Sequence, residues 1–106
     1  MNGAAPPPRR PTMDDVLARF LPQFVTLART RIASCRAAAV AGDRAAVTTA
    51  TRDLHTLAGE AGLLGLTAVV PLARDAEVKF KAAATDLPAA LDRLAQAIEA
   101  LAPAPG

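Results

Sequence analysis

The sequence is poor in aromatic residues, with no tryptophan, no tyrosine and only three phenylalanines among 106 residues. β-Sheets favour aromatic and β-branched side chains, whereas this chain is 52% hydrophobic and rich in alanine. Such a composition suits closely packed helices. A chain of this length is expected to form one domain with its own core.

Cysteine, histidine and long apolar runs are also scarce. The lone Cys35 excludes an internal disulfide and fits a reducing compartment. No run approaches the 18 apolar residues of a membrane span, and no signal-peptide pattern follows the first residues. We therefore expect a soluble, cytoplasmic protein. With one cysteine and one histidine on different predicted helix faces, no metal or haem site is expected, and Cys35 is expected in the core.

Two function classes lack their usual signatures. The twelve lysines and arginines give a formal charge of only +2 and are scattered, without the clustering or aromatic interleaving of a nucleic-acid surface. No glycine-rich phosphate loop or ATP signature of a kinase occurs. We expect neither nucleic-acid binding nor phosphorylation from ATP by this chain itself.

Apolar residues recur at helical spacing through most of the chain. They predict helices over 13–21, 22–41, 44–64, 67–84 and from about Asp86 to Leu101. In the second helix the predicted buried stripe ends at Cys35 and Ala39. Three arginines there (29, 31 and 36) are expected to be solvated, and some of them could rim a docking surface. Pro71 means that the fourth helix either starts later or bends.

Short connections make consecutive helices antiparallel. The sequence thus predicts an all-α fold, an up-down-up-down antiparallel four-helix bundle with a short extra N-terminal helix. The bundle is expected over residues 12–102, with disordered tails at 1–11 and 103–106.

The lone histidine, His55, lies in the third predicted helix, about 130° from the mean direction of its apolar stripe. Exposure to solvent is expected. Gly59 and Gly62 follow it by four and seven residues, positions that stand over a residue along a helix. Each glycine costs about 1 kcal/mol of helix stability against alanine. They either allow close packing of another helix or leave one side of the ring open.

A carboxylate is predicted to lie beside this histidine. If the hairpin of the third and fourth helices turns near Leu66, His55 and Glu77 each lie eleven residues, about 16 Å, from the turn. Glu77 could then accept a hydrogen bond from Nδ1–H and leave Nε2 outward as a nucleophile.

The stretch His55-Thr56-Leu57-Ala58-Gly59, followed by Gly65, Val69, Leu72 and Glu77, resembles the histidine-containing phosphotransfer (HPt) domain family. The resemblance implies a phosphorelay carrier, in which His55 accepts and donates a phosphoryl group. It implies that Glu77 orients His55 and that Gly59 gives a partner access. The implied partners are receiver domains of response regulators and hybrid histidine kinases, with no cofactor on this chain and Mg²⁺ on the receiver. We expect a monomer.

One position departs from the family pattern. The family usually has lysine three residues after the histidine, and here Ala58 takes that place. Arg52, one turn before His55, is the first candidate for a replacement cation, with Arg74 and Lys81 as further ones. Glu60, where the family prefers a small residue, is expected to be solvated.

Two rival hypotheses remain at this stage. Without the lysine, the bundle could be an adaptor that docks a receiver domain or histidine kinase and carries no phosphate. It could also be a purely structural helical bundle that oligomerises.

Overall fold

A computed structural model of the chain describes residues 10–102, which contain helices and no strand. This confirms the all-α class. The four helices are α1 (Met13–Ala41), α2 (Arg44–Leu63), α3 (Val69–Lys81) and α4 (Leu87–Leu101). Residues 1–9 and 103–106, most of the predicted tails, lie outside the described residues. None of the four helices is both long and apolar enough to cross a membrane.

The extra N-terminal helix predicted over 13–21 is not a separate element. Residues 13–41 form one helix that contains Pro22. Leu17 and Leu21 pack against the core ahead of Phe24 and Val25, so the apolar stripe passes the proline without a break. Pro22 itself is exposed. A proline inside a helix removes one backbone hydrogen bond. The helix continues because no glycine or other turn-forming residue next to Pro22 would let the chain end the helix there.

The ends of the helices follow the local sequence. Thr12 and Asp15 form a capping box at the start of α1, and the Asp43 side chain accepts from the Ala46 N–H at the start of α2. Helix α3 begins at Val69. Pro71 therefore lies in its first turn, where a backbone N–H has no helical partner to lose. Of the two options, the later start is the one found.

The core lies between the four helices, each of which packs against two others: α1 against α2 and α4, and α3 against α2 and α4. The stripe of α1 ends on Ala38 rather than the predicted Ala39, because Ala38 follows Cys35 by three residues and turns inward. The largest fully buried side chains come from all four helices: Cys35, Leu54, Leu57, Val69, Leu91, Leu94 and Ile98.

Ion pairs join α1 to its two neighbouring helices. Arg29 and Arg36 are exposed, as expected, whereas Arg31 and Glu60 are half-buried, which corrects the expectation that these two are solvated. Arg29 and Arg36 of α1 lie 2.6 and 2.8 Å from Glu99 and Asp92 of α4. Arg31, half-buried, lies 2.9 Å from Glu60 of α2. A helical projection of the sequence places these residues on polar faces. It does not show that a neighbouring helix places a residue of opposite charge beside them.

Candidate functional site

His55 lies in the middle of α2 and points away from the core. Its side chain is 80% exposed, as the helical projection predicts. The apolar residues on either side of it in sequence, Leu54 and Leu57, are fully buried. Packing of the opposite face of α2 therefore fixes the backbone beneath an imidazole that is itself open to solvent.

Glu77 of α3 contacts this ring at Nδ1. Its Oε1 lies 3.3 Å from Nδ1 of His55, so the contact expected from counting through Leu66 is present. The residue is 9% exposed and is the one buried charged residue among those described. An ionised carboxylate only accepts hydrogen bonds, so a neutral imidazole that bonds to it carries its proton on Nδ1 and keeps the Nε2 lone pair free.

The turn between α2 and α3 sets this pairing. Gly65 has φ +74°, and the Leu66 N–H donates to the carbonyl of Ala61 at 2.8 Å while Gly65 N–H donates to Gly62. These two bonds form a Schellman motif, which ends α2 and reverses the chain. His55 and Glu77 therefore meet because a glycine stands at the one position of the turn that needs a left-handed backbone.

Lys81 is the cation that the structure brings to the site. Its Nζ lies 3.4 Å from Oε2 of Glu77, one turn along α3, and its side chain is 64% exposed. The Glu77 carboxylate thus contacts the imidazole through one oxygen and the ammonium through the other. The sequence ranks Lys81 behind Arg52, although the i,i+4 spacing from Glu77 is itself a signal for this contact.

The other candidate cations are not joined to the histidine. Arg52 and Arg74 are exposed and form no ion pair with any part of the chain that the structure describes. Ala58, at the family's lysine position, is only 4% exposed and belongs to the core cluster. The position at which the resembled family usually has lysine is therefore buried here and used for packing.

The two glycines beside His55 are not needed to let a neighbouring helix pack closely. A Cβ built on Gly59 would meet no atom within 4 Å, and one on Gly62 would meet only Val70 Cγ2, at 3.9 Å. Both residues are exposed. Within residues 10–102 no helix approaches closely enough to require a glycine at either position, which leaves the explanation of an open surface beside the ring.

Other reactive groups stay apart from this surface. Cys35 is fully buried, with its Sγ 3.7 Å from the carbonyl of Ala50. Burial, aided by the charge of Asp53, raises the pKa of this thiol to about 12, so it is not a nucleophile at neutral pH. Between residues 10 and 102 no three histidine, cysteine, aspartate or glutamate side chains gather as metal ligands would.

The described residues thus form a helical bundle whose reactive group is one exposed imidazole, backed by a buried carboxylate and flanked by glycines. The family model for the Hpt domain matches residues 19–104. Since this is most of the chain, the protein belongs to the Hpt domain family, whose members carry phosphoryl groups in two-component signalling rather than acting as kinases. Comparisons with curated proteins and with solved structures found no significant match.

Proposed function

We propose that this protein is a phosphorelay carrier that accepts and donates a phosphoryl group on Nε2 of His55. The observation that carries the proposal is the contact of Nδ1 with the buried Glu77 carboxylate. This contact fixes the tautomer that a nucleophilic Nε2 needs, on a ring that is otherwise open. Membership of the Hpt family supplies the reaction class.

The transfer step is a displacement at phosphorus. The Nε2 lone pair attacks the phosphorus of an aspartyl phosphate, a P–N bond forms, and the P–O bond breaks with its electron pair going to the aspartate carboxylate. The neutral imidazole becomes a positively charged N-phosphorylated ring whose Nδ1 proton stays in place. Glu77 stabilises that positive charge by its position, and the reverse reaction uses the same contacts.

The surface around His55 suits a macromolecular partner. Gly59 and Gly62 leave the ring uncovered on the side of the α2 C-terminus, and a receiver domain has to bring its phosphoaspartate loop to within bonding distance. The proposed partners are receiver domains of response regulators and hybrid histidine kinases. Mg²⁺, where the transfer requires it, is assigned to the acidic pocket of the receiver.

The proposal takes the bundle as up-down-up-down and antiparallel, and the protein as a cytoplasmic monomer. The order of the seam contacts supports the topology: along α1, Arg31 precedes Cys35, and their partners Glu60 and Ala50 follow the reverse order along α2. The same reversal relates Arg29 and Arg36 to Glu99 and Asp92 of α4.

A labelling experiment tests the assignment. The purified protein is incubated with a panel of receiver domains that carry labelled aspartyl phosphate, and the protein-bound label is tested for the acid lability and base stability of a phosphohistidine. We expect such a label on the wild-type chain and none on His55→Gln, which keeps a polar side chain of similar size on the exposed face.

Two results would count against the proposal. A label that persists on His55→Gln would remove His55 as the acceptor. A receiver that binds the wild-type protein but leaves it unlabelled would favour the adaptor, which keeps the docking surface without the chemistry.

A further inference from the structure

In the proposed phosphorylated state, the negative charge of the phosphoryl group lacks the lysine that usually neutralises it in the family, because Ala58 stands at that position. A phosphoryl group on Nε2 brings up to two negative charges to the surface beside Glu77, which is already an anion. Opposite charges close to phosphate oxygens form some of the stronger polar contacts in proteins. Ala58, buried in the core cluster, offers no such contact.

Lys81 is the one cation within residues 10–102 that contacts the His55–Glu77 pair, and it is loosely held. Its Nζ lies 3.4 Å from Glu77 Oε2, beyond the roughly 2.7–2.9 Å of a well-formed charged hydrogen bond. By contrast, Arg29, Arg36 and Lys79 lie 2.6 to 2.8 Å from carboxylates that bridge helix seams. The seam cations are engaged, whereas the four-carbon stem of Lys81 is exposed and free to turn.

From these contacts we infer that Lys81 replaces the missing family lysine by changing partners when His55 is phosphorylated. In the free protein, Glu77 is shared between Nδ1–H of a neutral ring and the Lys81 ammonium. Phosphorylation makes the ring itself positive, so Glu77 then has a full counter-charge at Nδ1. Lys81 turns from Oε2 of Glu77 to the phosphoryl oxygens. The inference rests on the proposed function, since it describes the phosphorylated form of the same site.

The two rival cations are placed less well for this exchange. At 100° per residue, Arg52 lies on the side of His55 that faces Glu60, and Glu60 pairs with Arg31 of α1. Glu77 approaches the ring from α3 instead. Arg74 precedes Glu77 by three residues on α3 and makes no contact with its carboxylate among the described residues. Neither arginine contacts Glu77 among the described residues, so neither is held beside the imidazole as Lys81 is.

The test measures the second pKa of the phosphoryl group on His55 and needs no partner protein. The full chain is phosphorylated with phosphoramidate, a small donor that reacts with exposed imidazoles, and the ³¹P resonance of the phosphohistidine is followed as a function of pH at low salt. A neighbouring cation favours the doubly charged phosphoryl group and lowers its second pKa. Lys81→Met keeps the apolar stem and removes the charge.

We expect Lys81→Met to raise the second phosphoryl pKa by about 0.5 to 1 unit, the effect of one unit charge at about 4 Å in water-like surroundings. Lys81→Arg should restore most of the wild-type value. Arg74→Met is the matched control, because it removes one exposed positive charge from the same helix, and we expect less than half of that shift. Thermal unfolding of each variant checks that the bundle is intact.

The outcomes separate this inference from the proposed function. A phosphohistidine resonance that titrates identically in wild type and Lys81→Met would overturn the role of Lys81 and leave the carrier function standing. A larger shift in Arg52→Met than in Lys81→Met would assign the cation to Arg52 instead. No resonance at His55 in the wild-type chain would count against the nucleophile itself.

Discussion

One of the glycines inside helix α2 invites comparison with the glycine in the turn after it. Gly65 adopts φ +74° in the turn that follows the helix, whereas Gly59 lies within the helix. Neither would bring a new Cβ within 4 Å of another residue. Gly65 therefore serves the backbone, since alanine is strained at positive φ. Gly59 is required neither by its backbone conformation nor by a close neighbour, although a glycine within a helix lowers its stability.

In a small helical bundle, glycines with a conformational role differ from glycines without one. A glycine with a conformational reason is explained by folding alone. A helical glycine with no neighbour to accommodate has no such explanation, and Gly59 stands one turn from the exposed imidazole. Under the proposed function, the cost of about 1 kcal/mol leaves His55 accessible to a receiver domain.

The largest effect is expected from Gly59→Leu. A leucine at i+4 lies over the ring of His55 and occupies the space that a receiver domain needs. We expect phosphoryl transfer from a receiver to fall at least about tenfold, the equivalent of about 1.4 kcal/mol. Labelling by phosphoramidate should change far less, because the small donor reaches Nε2 directly. Initial rates with both donors give the comparison.

Gly59→Ala is the control for this substitution. Alanine adds one methyl group in open space and should leave receiver transfer within about threefold of wild type, if bulk rather than helix rigidity matters. If Gly59→Leu and wild type accept phosphate from a receiver at equal rates, the open surface at Gly59 has no part in docking.

The two glycines should also respond to alanine with opposite signs in stability. Gly65→Ala forces a side chain into the left-handed region and should lower the free energy of unfolding by about 1–2 kcal/mol. Gly59→Ala should raise it by up to about 1 kcal/mol. Urea denaturation followed by circular dichroism measures both. Gly42, with φ +69° after α1, should respond to alanine as Gly65 does. If Gly65→Ala stabilised the protein, the left-handed backbone would not be the reason for glycine at that position.

Most of the fold was accessible to sequence reasoning because the apolar stripes of α2, α3 and α4 are nearly uninterrupted. In α3, for example, Val69, Ala73, Ala76 and Phe80 recur at helical spacing in the sequence and are all buried. The error at Pro22 came from a local rule. Proline is favoured at helix starts, but the continuous stripe from Leu17 to Phe24 holds α1 together.

Side-chain partners across helices were only partly accessible. The contact of His55 with Glu77 follows from equal distances to a turn, which is a property of the backbone. The pairing of Glu60 with Arg31 depends on the rotation of α1 against α2, and no spacing within either helix encodes that rotation. The contact of Lys81 with the site follows from its i,i+4 spacing from Glu77 rather than from its own position relative to His55, and ranking cations by their distance from His55 places Arg52 first.

The smallest effect concerns the end of α3, which repeats the turn of α2 without its glycine. Ala84 N–H donates to the carbonyl of Lys79 and Ala83 N–H to Phe80, the same pair of bonds as at Leu66 and Gly65. Ala83 occupies the left-handed position with φ +51°. Ala83→Gly should therefore stabilise the protein by about 0.5–1 kcal/mol, because relief of the strained backbone exceeds the added chain entropy of glycine in the unfolded state. The same denaturation measurement checks it, with Ala82→Gly, one residue earlier and at φ −83°, as the control that should destabilise. Loss of stability in Ala83→Gly would mean that the entropy of the unfolded chain, and not the sign of φ, decides the cost of residues at these two turns.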